Sequence, residues 1–187
     1  MKDKLDVLLV GVGGQGVVTL ARLLSEAALK CGFNVMLAET RGLSQRGGSV
    51  KVFLRIGKVY APIFDVADVI IGLELTETLR NMYYAGENTV VIVNNRLIPV
   101  NMKKTESKKL IIEKIMEKSK NLEIIDAEGV AINVGSIRSE NIAMLGYIST
   151  HHIFRSISTC IDDVFYSSKY AKIRENIEAY KIGRKLR

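Results

Sequence analysis

The chain has 187 residues, 48% of them hydrophobic and 25% charged, with a formal net charge of +7. That is the profile of a soluble globular protein, long enough for one domain, or one domain with an appendage, around an ordinary core. No stretch approaches the roughly 20 consecutive apolar residues of a membrane-spanning helix.

The start, "MKDKLDVLLV", carries Asp3 and Asp6 and lacks a cleavage-type ending. It reads as a first strand and not a signal peptide, so a cytoplasmic protein is expected. "KLDVLLV" (4–10) is a short apolar run of the buried parallel type. A glycine turn follows, then a helical pattern over 15–32 that stops at Gly32. "FNVMLAE" (33–39) predicts a second strand, and "TRGLSQRGG" (40–48) a polar, glycine-rich loop. "SVKVFLRIG" (49–57) alternates, which predicts a strand with one wetter face, antiparallel or at an edge. Further strands are predicted at 68–74, 89–95 and 122–126, and helices at 75–86 and 104–119. Two or three helices complete the chain. Alternating strands and helices give an α/β fold, Rossmann-like, with a mainly parallel sheet and a helical C-terminal part from about 139 to 187.

Two cysteines, Cys31 and Cys160, stand far apart in sequence, so a disulfide framework is not expected, and four thiolates for an iron–sulfur cluster are not available. His151 and His152 are the only histidines. Adjacent helical positions diverge by about 100°, which makes them a poor joint metal site, and they are expected at the surface or an interface. No metal site is expected. The positive charge collects in 101–120 and 169–187. Both stretches have apolar residues at helical spacing with acidic residues among the lysines, the look of solvated helix faces. No nucleic-acid reading motif accompanies them.

Residues 11–16, "GVGGQG", match G-x-G-x-x-G. Gly11 can make a tight turn, Gly13 and Gly14 open the backbone to a ligand, and Gly16 leads into a helix whose N–H groups favour an anion. A dinucleotide site also needs an acid at the end of the second strand, where Glu39 stands. A Walker-type loop is excluded, because no Gly-Lys-Ser/Thr follows. From the turn alone, a close-packed turn without ligand, an NAD site and another anion site remain open.

The loop after the second strand changes the balance. Glu39 and Thr40 run into Arg41, Gly42, Ser44, Gln45, Arg46, Gly47 and Gly48. Guanidinium forks and glycine backbone suit carboxylates and phosphates. In a parallel sheet this loop should lie beside the glycine turn, and Glu39 could orient an arginine instead of holding a ribose.

With both motifs in hand, "GVGGQGVVTLARLLSEAA", "AETRGLSQRGGSVKVFLRIG", "ADVIIGLELTETLRN" and "NTVVIVNNRLIP" resemble the gamma subunit or domain of 2-oxoacid:ferredoxin oxidoreductases. Within that family the likeness is to the smaller, beta subunit of indolepyruvate ferredoxin oxidoreductase. It runs from about residue 5 to 100 and continues through "SENIAMLGY" (139–147). The resemblance implies oxidative decarboxylation of a 2-oxoacid on thiamine diphosphate, electron transfer through iron–sulfur clusters to ferredoxin, and release of the acyl group on coenzyme A. It places thiamine and clusters on a large partner subunit, and makes this chain an accessory one that is inactive alone. Pyruvate, 2-oxoglutarate and branched-chain branches share the same loop chemistry. An NAD-binding or non-catalytic nucleotide-binding module is the rival of another class.

Overall fold

The computed structural model describes residues 4–42, 47–99 and 106–186. Their six strands form one sheet. In chain order the elements are β1 (Lys4–Val12), α1 (Val17–Lys30), β2 (Val35–Arg41), β3 (Ser49–Gly57), β4 (Ala67–Gly72), α2 (Leu75–Arg80), β5 (Ala85–Asn94), α3 (Lys108–Lys118), β6 (Asn121–Ile125), α4 (Ala127–Asn133), α5 (Glu140–Thr150), α6 (Ser158–Ser167) and α7 (Arg174–Gly183). The strand order is β2-β3-β1-β4-β5-β6. The β1–β4, β4–β5 and β5–β6 pairs are parallel, and β3 is antiparallel to both β1 and β2. The fold is therefore the expected α/β architecture with a mostly parallel sheet.

Two hydrophobic layers sandwich that sheet. Val7, Leu9, Val52, Leu54, Val69, Ile71 and Ile92 pack on one face against α1, α5, α6 and α7. Leu8, Val10, Phe53, Ile70, Val91 and Val93 pack on the other against Phe64, α2 and α3. Side chains at successive positions of a strand point to opposite faces, so these all-apolar runs serve both layers.

Several expectations change. β2 is not the neighbour of β1, because β3 is inserted between them. The connection after β2 is too short for the crossover that parallel neighbours need, so the chain turns straight back as a hairpin. Gly42 and Ser49 close it, with the Gly42 N–H donating to the Ser49 carbonyl at 2.9 Å. Thus β3 is antiparallel as expected, but internal, and β2 is the edge. The helix over 75–86 stops at Arg80. A 3-10 turn, Met82–Tyr84, leads directly into β5, where the Thr89 hydroxyl takes the Gly86 N–H at 2.8 Å. Helix α3 begins at Lys108, with Ser107 accepting from the Leu110 N–H at 3.3 Å. Four α-helices, not two or three, follow β6. Glycines let two of them cross closely: a Cβ on Gly146 would lie 2.3 Å from the Tyr180 carbonyl oxygen, and one on Gly183 would lie 2.1 Å from that of Ala143.

The cysteines are also corrected. Cys31, at the C-terminal cap of α1, is disulfide-bonded to Cys160 on α6, with Cα atoms 6.0 Å apart across 129 residues. Helix α6 packs along α1, and the sequence separation hid that proximity. His151 is buried rather than at the surface. Its Nε2 lies 3.1 Å from Glu123, whose carboxylate also accepts the Tyr147 hydroxyl at 2.6 Å. Among the described residues, no helix is long and apolar enough to cross a membrane.

Candidate functional site

The carboxyl ends of β1, β4 and β5 meet at one edge, where the glycine turn lies. Gly11 is a packing residue: a Cβ there would come within 2.9 Å of Val17 and 3.2 Å of Leu73. Gly14 and Gly16 take φ of +104° and +83°, a left-handed backbone that favours glycine. Among the described residues nothing lies within 4 Å of a Cβ on Gly14, whereas one on Gly16 would be 2.3 Å from the Asn141 amide nitrogen. Gly14 is therefore uncovered by the described residues, and Gly16 is covered by α5. Helix α1 starts at this turn without a side-chain cap and with no acid in its first turn. Its opening N–H groups are suited to an anion.

Asn141 strengthens that edge. Its side-chain nitrogen donates to the Gly16 carbonyl at 3.4 Å. Its Oδ1 is buried without a hydrogen-bond partner among the described residues, and the residue is only 6% exposed. A buried polar atom left unpaired is costly.

The basic loop reaches the turn by a different route from the one expected. Because Ser49 of β3 pairs with Val12 of β1, the loop returns to the glycine turn at its far end. The Gly13 N–H donates to the Gly48 carbonyl at 2.8 Å. Gly47 has φ +74°, and among the described residues nothing lies within 4 Å of a Cβ there. The backbone of Arg41 ends β2 beside Gly42. Ser44, Gln45 and Arg46 lie outside the described residues. Glu39 and Thr40 are exposed on β2 opposite Val52 and Lys51. With β3 intervening, Glu39 stands two strands, about 10 Å, from β1. The parallel neighbour β4 is followed by a different acid, Glu74, 1% exposed. It caps α2, accepting from the Glu77 N–H at 2.7 Å and the Ile98 N–H at 3.1 Å. Burial raises its pKa, against those two hydrogen bonds.

Gln15 turns inward. Its Oε1 accepts from the Val12 N–H at 2.8 Å, and its Nε2 donates to the Leu73 carbonyl at 2.9 Å and to Glu140 at 3.3 Å. Glu140, at the start of α5, also receives Arg96 at 2.5 Å and the Asn94 amide at 3.4 Å. Asn94 in turn accepts the Glu128 N–H at 3.1 Å. Burial pushes the Glu140 carboxyl up, and Arg96 and Gln15 only partly counter it. This floor of Asn94, Arg96, Glu128, Glu140 and Asn141 was missed in the sequence. The signals were the polar "NNR" ending the apolar run of β5 and the "SEN" opening an otherwise apolar helix.

The glycine turn and the start of α1 lie at this edge, and N–H groups at a helix start are of the kind that suit an anion. The two cysteines are joined to each other, and no group of three or more metal-ligating side chains is found among the described residues. A cysteine-ligated iron–sulfur cluster takes four thiolates, more than the two cysteines of this sequence.

The chain is similar to known proteins. The sequence model described as pyruvate ferredoxin/flavodoxin oxidoreductase matches residues 6–186. The indolepyruvate oxidoreductase subunit IorB of Archaeoglobus fulgidus is 33% identical over 96% of this chain and 94% of its own. The common gamma subunit of the pyruvate/ketoisovalerate oxidoreductases of Pyrococcus abyssi is 31% identical over 86% of each chain. Among solved structures, the 2-oxoglutarate:ferredoxin oxidoreductase of Magnetococcus marinus, determined with 2-oxoglutarate, coenzyme A and succinyl-CoA bound, superposes with a TM-score of 0.77 at 20% identity. That match covers 99% of this chain and 31% of the other.

Proposed function

We propose a substrate class and a role for this chain, which belongs to the pyruvate ferredoxin/flavodoxin oxidoreductase family and is an accessory subunit of a 2-oxoacid:ferredoxin oxidoreductase. The substrate is an aryl pyruvate such as indolepyruvate. A large partner subunit holds thiamine diphosphate and the iron–sulfur clusters. The 2-oxoacid loses carbon dioxide, its electrons leave through the clusters to ferredoxin, and the acyl group leaves on coenzyme A. This chain contributes the anion-binding edge, which meets the phosphates of coenzyme A or the substrate carboxylate and faces the partner.

The observation that carries the role is the Gly13–Gly48 hydrogen bond at 2.8 Å. It holds Gly48, at the end of the arginine- and glycine-rich loop, against the turn that opens α1, which supports a role for both motifs at one edge. The aryl-pyruvate choice is supported by the likeness to the Archaeoglobus subunit.

The test is reconstitution. The isolated chain and the assembled enzyme are assayed with indolepyruvate, pyruvate and 2-oxoglutarate, using coenzyme A and a viologen acceptor. Only the assembled enzyme should turn over, with indolepyruvate giving the highest kcat/KM. A preference for pyruvate or 2-oxoglutarate would overturn the substrate class. Turnover by the isolated chain would overturn the accessory role.

A further inference from the structure

The face of the sheet opposite α1 carries a polar cluster that neither motif includes. Lys51 stands on β3, opposite Val10 of β1 and Thr40 of β2. Its Nζ donates to the Tyr83 hydroxyl oxygen at 2.8 Å and to that of Tyr84 at 3.4 Å. The same ammonium lies 4.8 Å, 5.3 Å and 5.8 Å from the ring centroids of Tyr84, Tyr83 and Phe53. The rings are themselves fixed. Phe53, Phe64 and Tyr84 meet edge to face, and Tyr83 lies against Tyr84 with centroids 4.2 Å apart.

Two features separate this lysine from a surface lysine. Its charge is held in place by two phenols and three ring faces. It also lacks a counter-ion: among the described residues its only polar partners are the phenols. Arg55, on the same face and strand, is by contrast neutralised by Asp6 at 2.7 Å.

We propose that Lys51 and the Tyr83 hydroxyl form a binding site for a small oxyanion, a carboxylate or a phosphate. An ammonium has three protons, and two are directed at phenol oxygens, which leaves one. A phenol oxygen that accepts from an ammonium keeps its own proton to donate elsewhere. The two remaining donors start from atoms 2.8 Å apart. That spacing suits the two oxygens of a carboxylate, or one edge of a phosphate, bound in bidentate fashion. Tyr83 is 63% exposed, so the approach is open.

The titration behaviour agrees with this donor arrangement. Hydrogen bonding from Lys51, then from Tyr84, holds the Tyr83 phenol below its ordinary value. Burial alone would lower Lys51, yet the hydrogen bonds and charges of the two phenols raise it. The Tyr83 proton is thus a ready donor beside a persistent cation. An oxyanion bound there accepts that proton in a hydrogen bond and opposes formation of the phenolate.

That competition supplies the test. The ionisation of Tyr83 is followed by ultraviolet absorbance as the difference between the full wild-type chain and its Tyr83→Phe variant. Titrations are run at constant ionic strength in chloride, with acetate or inorganic phosphate replacing it stepwise. The Tyr83 midpoint should climb, by about one pH unit once the anion exceeds its dissociation constant tenfold. The anion that acts at the lower concentration names the class. Lys51→Met should abolish the climb while leaving the melting temperature near wild type, and Lys51→Gln replaces it if Met disturbs folding. A midpoint indifferent to both anions overturns the proposal, and so does a climb that persists without Lys51.

Discussion

The Gln15 amide and the Glu140 carboxylate are 125 residues apart in sequence and 3.3 Å apart in the fold. Through this contact the glycine turn is held by the first residue of α5. Gln15 also spans the Val12 N–H and the Leu73 carbonyl. Gln15→Ala removes all three contacts and leaves buried donors and acceptors unpaired. Each such group costs roughly 1–3 kcal/mol. The isolated chain should therefore lose about 2–4 kcal/mol in urea unfolding. A loss under about 0.5 kcal/mol would show that the turn stands without this brace.

The pH dependence of stability follows from Glu140. Burial dominates, so its carboxyl holds a proton more tightly in the folded state than the unfolded. Its contribution is full below the ordinary carboxyl range and is lost as pH rises through the raised value. Glu140→Gln lacks this dependence. Wild type should thus lose ground against the variant as pH rises above the ordinary carboxyl range. If wild type instead gains ground, the pairing with Arg96 outweighs burial and the assignment reverses.

The Cys31–Cys160 bond ties the first helix of the sheet layer to the C-terminal helices. Closing so long a loop stabilises a native chain by about 2–4 kcal/mol. The unreduced protein should show no thiol reactive to Ellman's reagent. A phosphine reductant should lower the urea midpoint of wild type but not of Cys160→Ala. Two reactive thiols in the folded, unreduced chain would contradict the bond.

Arg46 carries the proposed anion contact of the loop in sequence terms. Arg46→Lys keeps the charge and loses the planar fork. In the assembled enzyme kcat/KM should fall about ten- to a hundredfold, with melting temperature and assembly unchanged. Intact kcat/KM for every substrate would remove this loop from the site.

What could be read before the fold was known has a physical pattern. β1, β4 and β5 are covered on both faces, so their apolar runs declared themselves. The turn at Gly11–Gly16 was legible because positive φ and close packing demand glycine. The inward direction of Gln15 was not, since its partners come from β4 and α5. Nor was the position of β3. An alternating strand looks the same at an edge as in the interior, and only the short hairpin from Gly42 to Ser49 hinted at its pairing. Tyr83 and Tyr84 are compatible with a helix, so the early end of α2 was hidden in the Thr89 hydroxyl further on. The Lys51 cluster joins positions 32 and 33 residues apart, which no local pattern links.

Gly14 and Gly16 separate packing from ligand access at the turn. Both have positive φ, so alanine at either place brings backbone strain of about 1–2 kcal/mol. Beyond that they differ. At Gly16 the new methyl group runs into Asn141, whose side chain lies 2.3 Å away and is itself buried. Helix α5 would have to move, and Gly16→Ala should destabilise the isolated chain by well over that strain. At Gly14 the methyl group meets nothing within 4 Å among the described residues. Gly14→Ala should leave the chain folded, with a loss near the strain alone, yet obstruct whatever approaches α1 from outside. In the assembled enzyme the expected signature of Gly14→Ala is a raised KM for coenzyme A or for the 2-oxoacid with a near-normal melting temperature. If Gly14→Ala leaves both KM values and kcat untouched, the open side of the turn faces solvent, and the anion-binding edge must be sought elsewhere on the chain.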